Sequence, residues 1–346
     1  MGKWLFALAL VGGACGGTPA IGTMEEILQD MTGAVRVEKN GVVLLEKGYG
    51  LADEASRIAN TPDTIFRIGS NTKQFTAMAI LLLQDDGRLG VDDPICSHLD
   101  DCPDAWQPIT IQELLDHSSG IPDYINAPDF PTYIGTPATV PELIARFRDL
   151  PLLFTPGSQW SYSNSGYLLL GAIVTHESGL SYADFLRQRI FGPLGMTHTD
   201  YDSDHPPLGT HATGYLSMGV KPVFFAMSEA DAAGALASTV GDLAKWDSAL
   251  QAGTIGSAAA RTAMFTPHIA CPSGGCALGS DIGYGDGWFI ADVSGQRYDY
   301  HWGHIDGFFS SNGFYPDAHV TVIVLSNLET VDTFGIASQL GAAAMQ

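Results

Sequence analysis

A serine and a lysine stand three residues apart in the segment GSNTK at 69–73. Residues three apart on a helix are neighbours, so the amine of Lys73 can reach the hydroxyl of Ser70. A serine hydroxyl is a weak nucleophile until an adjacent base removes its proton, and the positive end of a helix favours the resulting alkoxide. The pair therefore predicts nucleophilic catalysis by Ser70, with Lys73 as the base.

The residues after this pair predict the element that positions it. Residues 74–83 read QFTAMAILLL, which is apolar on nearly every side of a helix and therefore typical of a buried one. A Ser-x-x-Lys spacing alone is weak evidence. Here it is the only such match in the chain, and it stands at the head of this helix.

A tyrosine and an asparagine form a second candidate element, Tyr162-Ser163-Asn164. The segment PGSQW at 156–160 precedes it, and an apolar helix is predicted to start near Tyr167. A junction between a turn and a helix exposes both side chains. The segment YIN at 124–126 fits the same Tyr-x-Asn pattern. The later copy is favoured because it has the PGSQW entry and the following apolar helix.

The third element is His301-Trp302-Gly303, followed by His304. It is predicted to lie at the end of a strand over 296–300. Glycine at a strand edge lets the backbone approach a substrate closely. Most histidines are surface or packed core residues, so this element gains its meaning from its order and spacing relative to the other two.

Strands at both chain ends define the predicted fold. Segments 33–38 and 42–46 flank an Asn-Gly turn, which favours a hairpin, and segments 308–315 and 319–325 flank a Pro-Asp-Ala turn. The Ala-rich stretch Thr333 to Met345 is predicted to be a closing helix. We therefore expect an α+β fold, with an antiparallel sheet formed by both chain ends, flanked by helices, and a large, mainly helical insertion.

The domain prediction follows from this pattern. Residues 23–346 are expected to form one domain, made of an α/β lobe at about 23–90 and 271–346 and a helical lobe at about 91–270. Helical patches in the second lobe cover 141–150, 165–177 and 238–250. A cleft should lie where the lobes meet, because ligand pockets commonly occupy such junctions.

Taken together, GSNTK at 69–73, YSN at 162–164 and HWG at 301–303 resemble the class C β-lactamase and penicillin-binding carboxypeptidase superfamily. Further similar segments are LLDHSSGIPDY at 114–124, STVGDLAKW at 238–246 and YGDGW at 284–288, so that the resemblance covers roughly 30–330. It implies the fold predicted above, described as β-lactamase/transpeptidase-like. It does not indicate a particular substrate.

The resemblance implies a role for each motif residue. Ser70 would be the nucleophile, Lys73 would ease its deprotonation, and Tyr162 would carry the proton to the leaving group. Asn164 would hold the substrate amide. The oxyanion would lie between the backbone N–H groups of Ser70 and His304. His301 and Gly303 complete the predicted substrate-binding set.

One departure from the superfamily pattern narrows the substrate. Class C β-lactamases usually have Lys-Thr-Gly where this chain has His301-Trp302-Gly303, so a fixed cation is missing. With an ordinary pKa of about 6.5, His301 would be charged only part of the time and would hold a carboxylate less firmly. Relatives with histidine here include D-amino-acid peptidases, amidases and some esterases. We therefore expect a D-amino-acid peptidase or carboxypeptidase-like enzyme. A carboxylesterase and a non-catalytic cell-wall peptide or penicillin-binding protein are the alternatives.

Composition excludes some partners. Asp and Glu total 38 against 16 Lys and Arg, and a net charge of -22 repels nucleic acid and anionic lipid. The predicted partner is a small-molecule or peptide substrate. We predict neither a cofactor nor a metal, because the histidines form no recognised ligand pattern.

The first residues resemble an export signal. Lys3, an apolar run and small residues predict a signal peptide over 1–22, and that run is too short to cross a bilayer. Cys15 follows Ala14 as in a lipoprotein cleavage site, but Gly12 stands where leucine is usual, so a lipid anchor stays open. The protein is expected to be extracytoplasmic, either periplasmic or secreted.

Four further cysteines form two close pairs, Cys96 with Cys102 and Cys271 with Cys276. Close pairs in an exported chain favour two small disulfide loops. The competing interpretation is a four-thiolate zinc site, but the first pair is spaced more widely than usual for zinc ligands.

Overall fold

The computed structural model describes residues 21–202, 209–272 and 283–346. Within these ranges eight strands form one sheet, in the order β2-β1-β13-β12-β11-β10-β9-β8, and each of its pairings is antiparallel. The described strands are β1 (Gly33–Lys39), β2 (Val42–Tyr49), β3 (Leu51–Asp53), β4 (Ile58–Ala59), β5 (Phe66–Arg67), β6 (Asp200–Tyr201), β7 (Leu236–Ser238), β8 (Ile269–Ala270), β9 (Gly283–Tyr284), β10 (Phe289–Val293), β11 (Gln296–Ile305), β12 (Phe308–Tyr315) and β13 (Val320–Ser326).

Helices cover both faces of this sheet. The described helices are α1 (Ile21–Ile27), α2 (Thr72–Asp85), α3 (Ile111–Leu115), α4 (Val140–Ala145), α5 (Asn164–Ser178), α6 (Tyr182–Leu186), α7 (Gly192–Leu194), α8 (Asp231–Gly234), α9 (Val240–Ala252), α10 (Ala258–Met264) and α11 (Thr333–Met345). The C-terminal α11 packs on β12 and β13, and α9 contacts the same two strands.

The predicted α+β fold is confirmed. The sheet joins strands from both chain ends: β1 and β2 form the predicted hairpin, and β1 pairs with β13 near the C-terminus. The predicted closing helix over 333–345 is present as α11. The lobe boundaries stay a prediction, as does the leader over 1–22, which lies almost entirely outside the described residues.

Two local predictions differ from the structure. The strand expected over 296–300 continues to Ile305, because β11 keeps pairing with β12 through His301 opposite Asn312 and Gly303 opposite Ser310. The histidine motif therefore lies within a strand, rather than at its end. The helical patch expected over 141–150 ends at Ala145.

The buried helix predicted after Lys73 is α2. All of its residues from Thr72 to Leu83 are buried. The Phe75 ring packs against Trp246 of α9, and the Gln74 side-chain oxygen accepts a hydrogen bond from the Trp246 indole at 3.1 Å. The rigid core around α2 fixes the position of the turn that precedes it.

One predicted disulfide is present, between Cys96 and Cys102. The second prediction involves Cys276, which lies outside the described residues. Among the side chains that the structure describes, no cluster of histidine, cysteine and carboxylate groups could hold a metal ion. The helices described here also include none that is long and apolar enough to span a bilayer.

Two buried carboxyl groups should make stability depend on pH. Burial raises the pKa of Asp116 and of Asp299 to about 6, against about 3.9 in an unfolded chain. A carboxyl whose folded pKa is raised holds its proton more tightly in the native state, so stability falls as pH rises through about 4 to 6. We expect Asp116→Asn to stabilise the protein at pH 7 by about 1–2 kcal/mol and to have little effect at pH 4.

Urea unfolding at several pH values between 4 and 7 would check this. The asparagine oxygen can still accept the hydrogen bonds that Asp116 receives from the Ser118 backbone N–H at 3.0 Å and hydroxyl at 2.6 Å. The exposed Asp30→Asn is the matched control. A stability difference between Asp116→Asn and wild type that does not change with pH would contradict the prediction.

Candidate active site

Ser70 lies in a tight turn, Gly69–Asn71, that leads directly into α2. Gly69 has a left-handed φ of +50°, and a Cβ atom built on it would lie 2.8 Å from the backbone nitrogen of His304. Only glycine combines this conformation with such a close approach. The turn therefore places the Ser70 backbone directly against β11.

Lys73 is buried beneath this turn, and its ammonium is held at three points. It donates to Ser70 Oγ at 3.1 Å, to Asn164 Oδ1 at 2.8 Å and to the Ala233 carbonyl at 2.8 Å. Burial lowers the pKa of Lys73 to about 7, against the opposing effect of Asp123. An amine with such a pKa is available as a base near neutral pH.

Tyr162 approaches the same pair from the segment before α5. Its ring centroid lies 4.7 Å from Lys73 Nζ. Its side chain lines a cavity that opens beside Ser70, which we call the catalytic cavity. Burial raises the pKa of Tyr162 above its usual range, while a hydrogen bond with Ser70 opposes that shift. The resting side chain is therefore a neutral phenol, which can pass a proton on, and Lys73 is the group suited to accept one.

The competing tyrosine, Tyr124, has a different environment. It is buried and also borders the cavity, but its hydroxyl donates to the Glu229 carbonyl. The Tyr162 ring, by contrast, lies over the ammonium group of Lys73. The structure thus favours the later Tyr-x-Asn copy as the one that accompanies Ser70.

Asn164 connects the lysine to a carboxylate. Its Oδ1 accepts from Lys73, and its Nδ2 donates to Asp123 Oδ2 at 2.9 Å. Burial raises the pKa of Asp123, and the Lys73 charge opposes the shift. Asp123 was not predicted as a site residue. It lies within the family-like segment 114–124, and its side chain caps the short turn at 124–126.

The backbone of Gly303 and His304 completes the arrangement. A Cβ atom on Gly303 would lie 2.0 Å from the Ile68 carbonyl oxygen and 2.9 Å from the Ser70 backbone nitrogen. The His304 side chain lines the cavity, and its Nε2 lies 3.0 Å from Glu329 Oε1. The structure therefore places the two backbone segments predicted to hold an oxyanion side by side.

His301 is absent from the described lining of the cavity, and its part in substrate binding stays a prediction. Its side chain is 1% exposed, and its Nε2 lies 3.0 Å from the Tyr284 hydroxyl. Burial, with the nearby Lys73 charge, lowers the pKa of His301 to about 3. The imidazole is therefore neutral at physiological pH and supports the Tyr162 ring, whose centroid lies 6.3 Å away.

We expect imidazole ¹⁵N chemical shifts of His301 to keep their neutral values from pH 8 down to pH 5, because burial excludes the charged form. Two-dimensional ¹H–¹⁵N spectra of the labelled protein would measure this, with His301→Gln used to assign the signal. A titration midpoint near 6.5 would contradict the buried, neutral state.

The catalytic cavity has a volume of about 390 Å³. Aromatic and aliphatic side chains make up much of its wall, and Asp123, Asp306 and His304 are its titratable lining groups besides tyrosines. No arginine or lysine is found among the described residues that line it. The described lining comprises Ser70, Asp123, Tyr124, Ile125, Asn126, Phe130, Tyr162, Asn164, Phe225, Ala230, Ala233, Gly234, Trp302, His304, Ile305 and Asp306.

Comparison with known proteins agrees with this geometry. A family model described as Beta-lactamase matches residues 23–344. The chain belongs to the beta-lactamase family. The predicted resemblance to β-lactamases and penicillin-binding proteins is thereby confirmed.

Relatives of this beta-lactamase family protein include penicillin-binding protein 4* of Bacillus subtilis (strain 168). The two are 30% identical over 316 residues, which cover 86% of this chain and 68% of the relative. A solved octameric penicillin-binding protein homologue from Pyrococcus abyssi is 30% identical, with a TM-score of 0.83 over 93% of this chain and 76% of that one.

A D-amino acid amidase from Ochrobactrum anthropi SV3, solved in complex with D-phenylalanine, has the same fold. It is 27% identical, with a TM-score of 0.81 over 93% of this chain and 97% of that chain. The beta-lactamase family therefore includes, among the neighbours of this chain, both penicillin-binding proteins and an amidase.

Proposed function

We propose that this beta-lactamase family protein is a serine hydrolase that forms an acyl-enzyme on Ser70 and acts on amides or short peptides of D-amino acids. The observation that carries the proposal is the contact of 3.1 Å between Lys73 Nζ and Ser70 Oγ at the floor of an open cavity. A nucleophile within hydrogen-bond reach of a base is the arrangement that acyl transfer requires.

The proposed reaction begins when neutral Lys73 accepts the Ser70 proton. The Ser70 oxygen bonds to the substrate carbonyl carbon, and the developing oxyanion is stabilised by the backbone N–H groups of Ser70 and His304. The proton then passes through Tyr162 to the leaving nitrogen as the carbon–nitrogen bond breaks. Water attacks the acyl-enzyme, releases the acid and returns the proton to Ser70.

The charges around the cavity favour a substrate with a free ammonium group. Asp123 and Asp306 face the cavity, and His301 is neutral and buried. Burial raises the pKa of both carboxyl groups. A substrate carboxylate would be repelled by their ionised forms, whereas an α-ammonium group would be attracted to those forms and would stabilise them. This supports an amidase or aminopeptidase over a carboxypeptidase, and the amidase neighbour that was solved with D-phenylalanine points the same way.

A carboxylesterase is the second candidate, because a neutral ester also lacks the carboxylate that this cavity disfavours. A non-catalytic binding protein is the third. The contacts from Lys73 to both Ser70 and Asn164 favour an enzyme over that reading, since binding alone does not require an amine at the nucleophile. The Cys96–Cys102 disulfide supports the extracytoplasmic location that we propose.

Intact-mass measurement would test the proposal directly. The protein would be incubated with a fluorophosphonate and, separately, with a labelled penicillin, alongside Ser70→Ala. We expect one fluorophosphonate adduct on wild type and none on the variant. If the folded wild-type protein formed no adduct with the fluorophosphonate and none with the penicillin, the binding-protein alternative would be favoured.

Turnover of matched amides would rank the substrates. We expect kcat/KM for D-phenylalanine amide to exceed that for its N-acetyl derivative by at least about tenfold, because acetylation removes the ammonium charge. The same kcat/KM ratio measured in Asp123→Asn and in Asp306→Asn would show which carboxylate recognises the substrate ammonium group. Faster turnover of p-nitrophenyl esters, with no preference for the free amine, would favour the esterase.

A further inference from the structure

A second cavity, of about 600 Å³, lies apart from the catalytic one. It is bounded by α4, α5 and α6 and by the segment from His98 to Trp106, and none of its described lining residues is shared with the catalytic cavity. Its volume lies within the usual range for small-molecule sites. Its wall is largely apolar and includes Leu169, Ala172 and Tyr182.

A buried carboxyl group with no cationic partner among the described residues borders this cavity. Asp231 is only 9% exposed, and its oxygens accept from the Tyr201 hydroxyl at 3.1 Å and from the Ala232 backbone N–H at 2.7 Å. None of the ion pairs found in the described parts of the chain involves Asp231. Burial raises the pKa of Asp231, so the free protein favours its neutral acid. An ammonium group bound beside Asp231 would stabilise the charged carboxylate and pair with it.

The backbone at Asp231 is also unusual. Its φ is +36°, a conformation that residues other than glycine seldom adopt. Such conformations cluster at functional sites, where the surrounding packing imposes them. The residue after Asp231, Ala232, packs tightly against Gly171 of α5. A Cβ atom added to Gly171 would lie only 2.4 Å from Ala232 Cβ.

The short helix α8, which begins at Asp231, separates the two cavities. On its catalytic side the Ala233 carbonyl accepts from Lys73 at 2.8 Å, and the Ala232 carbonyl accepts from Thr76 Oγ1 at 2.7 Å. Tyr182, which lines the second cavity, also bonds to Thr76, with a distance of 2.6 Å between the hydroxyl oxygens. Groups that border the second cavity therefore belong to the network that holds the catalytic lysine.

We propose that this second cavity binds a small primary amine with an apolar body, and that its occupation changes the rate of acylation at Ser70. The ammonium group would pair with Asp231, and the apolar wall would enclose the rest of the molecule. The exposed carboxylates of Asp100 and Asp101 border the same cavity and add attraction for a cation. Arg148, also at the rim, is already paired with Asp101. Movement of α8 would shift the carbonyl that holds Lys73.

Calorimetric titration of the full chain would test the binding, with 2-phenylethylamine as the probe and 2-phenylethanol as its uncharged counterpart. We expect the amine to bind at least tenfold more tightly than the alcohol. Asp231→Asn should reduce amine affinity at least tenfold while keeping the backbone, because asparagine tolerates a left-handed conformation. Ala172→Phe should abolish binding by filling the cavity, and Ala259→Phe on the exposed face of α10 is its matched control.

Steady-state kinetics would test the coupling. At saturating 2-phenylethylamine we expect kcat to change at least twofold in wild type and in Ala259→Phe, and not in Ala172→Phe. Purely competitive inhibition that persists in Ala172→Phe would place the amine in the catalytic cavity and overturn the proposal. Equal affinities for amine and alcohol, or binding without any change in kcat, would also overturn it.

The binding measurement does not depend on turnover. Suppose that Ser70 were never acylated, but that 2-phenylethylamine bound to wild type and lost affinity in Ala172→Phe and Asp231→Asn. The proposed hydrolase function would then fail, while the amine site would stand. If Ser70 were acylated but 2-phenylethylamine did not bind, the hydrolase function would stand and the amine site would fail.

Discussion

Replacing Lys73 by methionine is expected to lower kcat/KM by about 10³-fold, because the Ser70 hydroxyl would lose its base. Methionine fills similar space but cannot accept the proton or donate to Asn164 and Ala233. In wild type, kcat/KM should rise with pH through about 7, since burial lowers the pKa of Lys73 to about 7 and only the neutral amine accepts a proton. In Lys73→Arg this rise should be absent. Initial rates between pH 5 and 9 would measure both effects.

The control for Lys73→Met must separate catalysis from folding. The variant leaves two buried oxygens without a donor, and each loss costs about 1–3 kcal/mol of stability. Urea unfolding of the variant is therefore needed beside the kinetics. Lys47→Met, at an exposed lysine paired with Glu25, should retain wild-type rates. A folded Lys73→Met protein with activity within tenfold of wild type would remove Lys73 from the mechanism.

The parts of the site that could be predicted are those with local signals. Ser70 and Lys73 face each other because they are three residues apart at the start of one helix, and the apolar run after them fixes the burial of that helix. The hairpin of β1 and β2 and the closing helix α11 were likewise predicted from turn residues and composition. The roles of Tyr162 and of the His301 motif, by contrast, came from the resemblance to a family.

The parts that could not be predicted depend on contacts between distant segments. Asp123 reaches the lysine network through Asn164, and α8 reaches it through the Ala233 carbonyl, without any shared local pattern. His301 was assigned an ordinary pKa because sequence does not show that the Tyr284 hydroxyl and Phe289 ring enclose it. Burial, rather than residue type, determines the charge of that side chain.

Gly303→Ala is expected to lower kcat/KM by at least about 10²-fold, the usual effect of losing one oxyanion donor. The added methyl group would lie 2.0 Å from the Ile68 carbonyl oxygen, 2.7 Å from Ser310 Oγ and 2.9 Å from the Ser70 nitrogen. Ser310 cannot easily move, because its hydroxyl donates to the Ile68 carbonyl at 2.7 Å and accepts from Asn71 at the same distance. The strand must therefore shift away from the turn that carries Ser70.

Separating the β11 backbone from the turn that carries Ser70 should slow both chemical steps. Acylation and deacylation each pass through an oxyanion, so both rates should fall, and the fluorophosphonate reaction with Ser70 should slow as well. The shift should also cost about 1–3 kcal/mol of stability. Gly241→Ala is the matched control, because a Cβ there lies 3.9 Å from Thr239 Oγ1, its nearest neighbour, and alanine favours the helix α9. If Gly303→Ala kept wild-type rates, the β11 backbone would not stabilise the oxyanion, and the donor beside Ser70 would have to come from another segment of the chain.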